Sequence, residues 1–116
     1  MARYPVGALA DLPPGSMRLV EIGKRSVGVY NIGGTFHAIN NHCPHQGGPL
    51  CLGTVTGTAV ADEPYEIDWV KVGEIVRCPW HRWEIDIPTG AVLTQPALKV
   101  KRYAVHVEDG QVVLEA

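Results

Sequence analysis

A chain of 116 residues has room for one compact domain and not for two. Hydrophobic residues at 46% against 19% charged exclude a disordered chain, and a formal net charge of −2 argues against a general nucleic-acid binder, which needs a basic stripe. No run approaches the roughly 20 apolar residues of a membrane span, and residues 1–11, with one Arg and no apolar stretch, predict a cytoplasmic start without a leader.

Helix signals are nearly absent, because 13 Gly and 9 Pro interrupt the chain and no stretch of ten residues repeats its apolar positions at a helical period. Strand signals begin at residues 18–22 and 27–32. The pair Gly33-Gly34 then predicts a hairpin turn into residues 36–39. Residues 40–53 and 78–82 break the pattern and are rich in Pro, Gly, Cys and His. Near the end, residues 103–107 and 112–114 flank Asp109-Gly110, a strong hairpin signal. Short strands at close spacing predict an all-β fold, a small antiparallel sandwich or barrel formed as a single domain over residues 1–116. Loops on such a scaffold are where sites lie.

The first loop reads Asn41-His42-Cys43-Pro44-His45-Gln46-Gly47-Gly48-Pro49-Leu50, and the second Arg77-Cys78-Pro79-Trp80-His81. Each supplies one thiolate and one imidazole a few residues apart. Three cysteines cannot all pair, and a reducing compartment disfavours disulfides, so metal ligation, catalysis and core packing are the roles open to them. Four such donors suit a [2Fe–2S] cluster. They also suit a structural Cys₂His₂ zinc site, which would make the chain a zinc-stabilised interaction module. A catalytic thiol pairing Cys43 with a histidine would leave the second loop unexplained.

The C-x-H and C-x-x-H pairs, the proline after each cysteine and the Gly-Gly-Pro-Leu after the first histidine resemble the Rieske iron–sulfur signature. The resemblance implies a Rieske-type [2Fe–2S] cluster held by Cys43, His45, Cys78 and His81, with the cysteines on an inner iron and the histidines on an outer one. Two ferric ions, two sulfides and two thiolates sum to a neutral oxidised cluster, which accepts an electron more readily than an all-thiolate one. Gly47 and Gly48 would let backbone N–H groups face the sulfides, and Gln95-Pro96-Ala97 falls where the family has a third, covering loop. Respiratory members carry a disulfide at positions that here hold Gly48 and Trp80, so Cys51 is expected to be a buried small hydrophobe. His37, His42 and His106 are expected on loop or strand surfaces. High-potential members have hydroxyl donors where this chain has Trp83 and Ile85, which points to the lower end of the Rieske range, about −150 mV.

The function implied is that of a soluble one-electron carrier without catalysis of its own, passing electrons from a flavin or NAD(P)H reductase to an oxygenase. The alternative is the small subunit of a larger reductase, of the nitrite reductase type. The chain offers no 2-His-1-carboxylate iron site.

The spacing between the loops is unusual. From Gln46 to Arg77 is 32 residues, about twice the family's gap, which places an insertion near residues 59–73. Tyr65, Ile67 and Trp69 alternate with Glu66 and Asp68, predicting a strand that Val72-Gly73 turns back, an added hairpin away from the iron. Asp62, Glu63, Glu66 and Asp68 against Lys71 make it acidic, either as a solvated face or as a docking surface for a basic partner. Arg82 is read as a surface cation or as a contact to a partner's acidic group.

Overall fold

A computed structural model describes residues 2–42, 49–63, 66–79, 83–93 and 95–116. Among them there is no α-helix, only two 3₁₀ turns at Leu9–Asp11 and Leu50–Leu52, and no helix long and apolar enough to cross a membrane. The strands are β1 (Arg3–Ala8), β2 (Met17–Ile22), β3 (Arg25–Ile32), β4 (Thr35–Asn40), β5 (Thr54–Glu63) and β6 (Glu66–Arg77). There follow β7 (Glu84–Asp86), β8 (Ala91–Val92), β9 (Gln95–Lys99), β10 (Arg102–Glu108) and β11 (Gln111–Glu115). They form two antiparallel sheets, one ordered β1-β11-β10-β4-β3-β2 and the other β5-β6-β7-β8-β9. The predicted all-β antiparallel fold is the one observed.

The hairpin turns sit where the sequence puts them. Gly33 and Gly34 join β3 to β4 with φ of 60° and 94°, and Asp109 and Gly110 join β10 to β11 with φ of 49° and 74°. Positive φ at both central positions matches the turn twist to that of the flanking strands. The edge strand β1 was not legible in advance. Pro5 and Gly7 interrupt its pattern, and both are tolerated because one side of an edge is unpaired and the register shifts between them.

Alternation along the first sheet buries both its faces. Val27 and Val29 of β3 and Ala38 of β4 join Val6, Leu12, Val112 and Leu114 in one core. Tyr30 and Ile39, on the opposite face, join Leu50, Cys51, Val76, Cys78, Ile85, Ile87 and Val92 in a second core between the two sheets. The candidate site grows from this second core.

The insertion takes a form different from the expected extra hairpin. The chain does not turn at Val72-Gly73, and β6 runs through that point as one strand paired with β5. The glycine signal is realised as a bulge instead: between the pairs Thr56↔Ile75 and Thr58↔Val70, Gly57 of β5 faces Lys71 to Glu74 of β6. The added residues thus lengthen the two strands that link the loops. Gln95-Pro96-Ala97 is likewise the start of β9, a sheet edge, and not a free loop.

His37, expected on the surface, is half-buried on the β4 face turned to the second sheet. Burial, and then the positive charge of Arg102, hold its imidazole below the ordinary histidine range against the pull of Asp86 and Glu74. The unfolded chain therefore binds this proton more tightly. The group's contribution to stability is present above its unfolded pKa of about 6.5 and is lost as pH falls through the lower folded value. His37→Gln is expected to narrow the drop in melting temperature between about pH 7 and about pH 5, measured by circular dichroism; an identical drop in both proteins would refute the assignment.

Candidate metal centre

The first loop leaves β4 at Asn40, and hydrogen bonds pin both its ends. Asn40 N–H donates to the Lys101 carbonyl at 2.9 Å and Asn41 N–H to the Ser26 carbonyl at 2.8 Å. The Asn41 side chain then reaches across the loop. Its Oδ1 accepts the Cys51 N–H at 2.7 Å, and its Nδ2 donates to Ser26 Oγ at 3.3 Å. One carboxamide thereby ties the entry of the loop to its exit. Leu50 and Cys51, in the 3₁₀ turn that ends the loop, are buried to 0% and 1% exposure in the core between the sheets.

The second loop leaves β6 at Arg77. Cys78 is 1% exposed, and its N–H donates to the Trp83 carbonyl at 2.8 Å, closing a short turn from Cys78 to Trp83. Trp83 packs on the core that contains Cys78, Ile85 and Leu50. Outside the core, Arg77 and Glu84 pair across β6 and β7 at 3.7 Å, a half-exposed ion pair worth little to stability.

The two loop roots are in contact. Thr54 pairs with Arg77 at the start of the β5–β6 ladder, and the Arg77 carbonyl occupies the space that a Cβ on Gly53 would need. Any side chain at Gly53 would push the roots apart.

Of the four predicted ligands, Cys78 is placed at the second root, inside the shared core. Cys43, His45 and His81 lie outside the described residues, as do Gly47, Gly48, Trp80 and Arg82. Asn41 is two residues before Cys43, a reach of about 7 Å in extended chain. Two soft thiolates and two imidazoles, delivered by loops whose roots are locked together, are a donor set that fits a [2Fe–2S] cluster. His42 is exposed, and His106 is exposed on β10 with Nε2 at 3.4 Å from Glu115.

Cys51 behaves as the sequence predicts. Its sulfur packs over Gly28, where a Cβ would collide with it, beside the Tyr30 hydroxyl and 3.9 Å from the Ile39 carbonyl. Burial pushes the thiol up to about 11, so it is a neutral S–H at neutral pH. The Tyr30 hydroxyl beside it is buried with no oxygen or nitrogen partner among the described residues, and burial raises that phenol above its usual range. Sequence reasoning missed both Asn41 and Tyr30. Neither a lone Asn after a strand nor an apolar-run Tyr carries a signal for what it faces across the fold.

The Rieske [2Fe-2S] domain family model matches residues 2–104. The 3-phenylpropionate/cinnamic acid dioxygenase ferredoxin subunit of Escherichia coli is 31% identical over 116 residues, 99% of this chain and 94% of that protein. Apoptosis-inducing factor 3 of Mus musculus is 33% identical over 107 residues, 91% of this chain, which spans only 15% of that protein's length. Among solved structures, a complex of reduced oxygenase and oxidized ferredoxin in carbazole 1,9a-dioxygenase contains a similar chain. It matches with a TM-score of 0.73 and 26% identity, over 97% of this chain and 91% of that one.

Asn41→Ala removes the acceptor of the Cys51 N–H and is expected to cost about 1–3 kcal/mol of stability. Asn41→Asp, which keeps an acceptor oxygen, should retain most of it. Thermal melts together with iron content check this, and a melt of Asn41→Ala that overlays the parent would refute the tie. Folded protein exposed to iodoacetamide near pH 8 should leave Cys51 unmodified by mass spectrometry, whereas alkylation at the rate of a free thiol would show that it is not held neutral and buried.

Proposed function

The chain belongs to the Rieske [2Fe-2S] domain family, and from that premise we propose that it is a one-electron carrier whose cluster is held by Cys43, His45, Cys78 and His81. The observation that carries this reading is the contact of the two loop roots, with buried Cys78 beside Leu50 and Gly53 against the Arg77 carbonyl. When bound, the cluster supplies a single one-electron couple. The protein's own part is to hold four donors at fixed positions and to shield the Cys78 side from water with Leu50, Trp83 and Ile85. Two neutral imidazoles in place of two thiolates lower the negative charge that the donors bring, which favours the reduced state relative to an all-cysteine site.

The electron path proposed runs from a flavin or NAD(P)H reductase to an oxygenase, in the cytoplasm. Two findings support its oxygenase end. The Escherichia coli relative, matched along nearly its whole length, is a dioxygenase ferredoxin subunit, and the carbazole 1,9a-dioxygenase neighbour was solved together with its oxygenase. The chain acts as a component of such a system and not as the catalyst.

Ile85 is fully buried in the apolar core and Trp83 packs against it, so neither position offers a hydroxyl to the cluster. Without those donors the more negative, reduced state is less stabilised, and the midpoint potential is expected near the lower end of the Rieske range, about −150 mV. Purified protein should be reddish-brown, hold about two irons and two sulfides per chain, and give a rhombic electron paramagnetic resonance signal after dithionite. Cys78→Ser and His81→Ala should abolish colour and signal. Zinc in place of iron, or colour that survives His81→Ala, would sink the proposal, and a clearly positive midpoint in voltammetry would sink its potential.

A further inference from the structure

Apart from Lys71 in the β5–β6 hairpin, the described cations divide into two groups. Arg3 is paired with Glu108, Arg77 with Glu84, and Arg18 donates to the Val6 carbonyl at 2.9 Å. Lys24, Arg25, Lys99, Lys101 and Arg102 are exposed, and among the described residues no carboxylate lies within ion-pair distance of any of them. All five belong to the β2–β3 turn and to the chain that passes from β9 into β10. Arg25, Lys101, Arg102 and Tyr103 line a cavity of about 160 Å³, with Lys101 Nζ 5.2 Å from the centre of the Tyr103 ring. Glu115 and Ala116 close one side; the Glu115 carboxylate faces His106 at 3.4 Å and Arg3 at 3.9 Å.

This patch borders the first ligand loop. The Ser26 carbonyl, next to Arg25, holds the N–H of Asn41, and the Lys101 carbonyl holds that of Asn40. Cys43 is two residues further on, about 7 Å of extended chain at most. The acidic residues of the insertion lie elsewhere. Asp62, Glu63, Glu66 and Asp68 flank the tip of the β5–β6 hairpin, where Glu63 pairs with Glu66, at the opposite end of the ladder from the Thr54↔Arg77 pair. At about 3.3 Å per residue that end is on the order of 30 Å from Cys78. Beside the first loop cations thus outnumber the nearby acids Glu21 and Glu115, while the four acidic residues of the hairpin lie at its far end.

We propose that the groove of Arg25, Lys101 and Arg102 is the docking site for a carboxylate-bearing surface at the electron port of this protein's redox partner. The proposal rests on the carrier reading above and adds the polarity of the partner. The cavity is well below the roughly 300–1,000 Å³ of pockets that enclose a small-molecule cofactor, and its size and charge suit the carboxylate of a single Asp or Glu side chain. Exposed cations of this kind act on encounter more than on affinity. An acidic surface is drawn to the ligand-loop end and repelled by the hairpin tip, so the two charge clusters orient the approach together. This reverses the role considered for the insertion: its acids do not receive the partner, they turn it away from an end too distant for electron transfer.

The test uses the cluster-loaded protein and two small oxidants of opposite charge, ferricyanide and tris(phenanthroline)cobalt(III), each taking one electron from the reduced protein in stopped flow. If the local field governs, the second-order rate constant for ferricyanide falls by roughly tenfold from low to physiological salt, despite the negative net charge. The cationic cobalt complex then shows no such fall. The triple variant Arg25→Glu, Lys101→Glu, Arg102→Glu should invert the ferricyanide salt dependence, with Lys101→Gln, Arg102→Gln as the milder variant that flattens it. Asp62→Asn, Glu63→Gln, Glu66→Gln and Asp68→Asn together should leave the sign of that dependence unaltered. A ferricyanide rate that rises with salt in the parent protein overturns the docking site, and so does a triple variant that behaves as the parent. Visible spectra and midpoint potentials of the variants should match the parent, which separates loss of docking from loss of the cluster. A protein without colour or iron fails the carrier reading itself.

Discussion

Two polypeptide segments that are far apart in sequence must place their ends against each other, and the contact that achieves this is between backbone atoms. Gly53 lies so close to the carbonyl of Arg77 that only hydrogen fits between them. On one side of that contact Leu50 and Cys51 enter the core between the sheets, and on the other Cys78 does. The first loop is then closed by the Asn41 carboxamide and the second by the Cys78 N–H on Trp83. Each closure satisfies a backbone donor that would be costly to leave unpaired beside an apolar core. Segments that leave such roots start from positions fixed by the scaffold, which lowers the entropy cost of ordering them.

The long β5–β6 hairpin follows from the same geometry. Its first ladder pair, Thr54↔Arg77, is the one next to the loop roots, so extra residues can be accommodated only by extending the ladder outward. The bulge opposite Gly57 absorbs the unequal lengths of the two strands without moving the root. An insertion at this place alters the distal end of the ladder and leaves the Thr54↔Arg77 root pair in register.

What the sequence made legible follows from how local each signal is. The turns at Gly33-Gly34 and Asp109-Gly110 depend on the residues that form them, and they stand where expected. Strands β2, β3 and β4 are covered on both faces, so their runs are apolar enough to be read directly. By contrast β1, with Pro5 and Gly7, and the three-residue β7 and two-residue β8 owe their pairing to neighbours and not to their own pattern. Val72-Gly73 misled because a glycine after a β-branched residue suits a bulge as well as a turn, and only the partner strand decides between them. At the site, the cysteine and histidine spacing pointed to the chemistry, whereas Asn41 and the basic groove arise from residues that meet only in the folded chain.

The third cysteine shows how the fold can seal a thiol inside its core. Cys51 shares a core with Cys78, so burial places two thiols close together. Two constraints define the state of Cys51. Its sulfur is seated over Gly28 in space that no other residue at that position would leave, which aims it at β3 and the Ile39 carbonyl. Burial also keeps the thiol protonated at neutral pH, and a protonated thiol is a poor ligand because coordination requires the thiolate. Replacing Gly28 by any larger residue would evict the sulfur from its seat, so the burial of Cys51 depends on a glycine in a strand remote from it in the sequence.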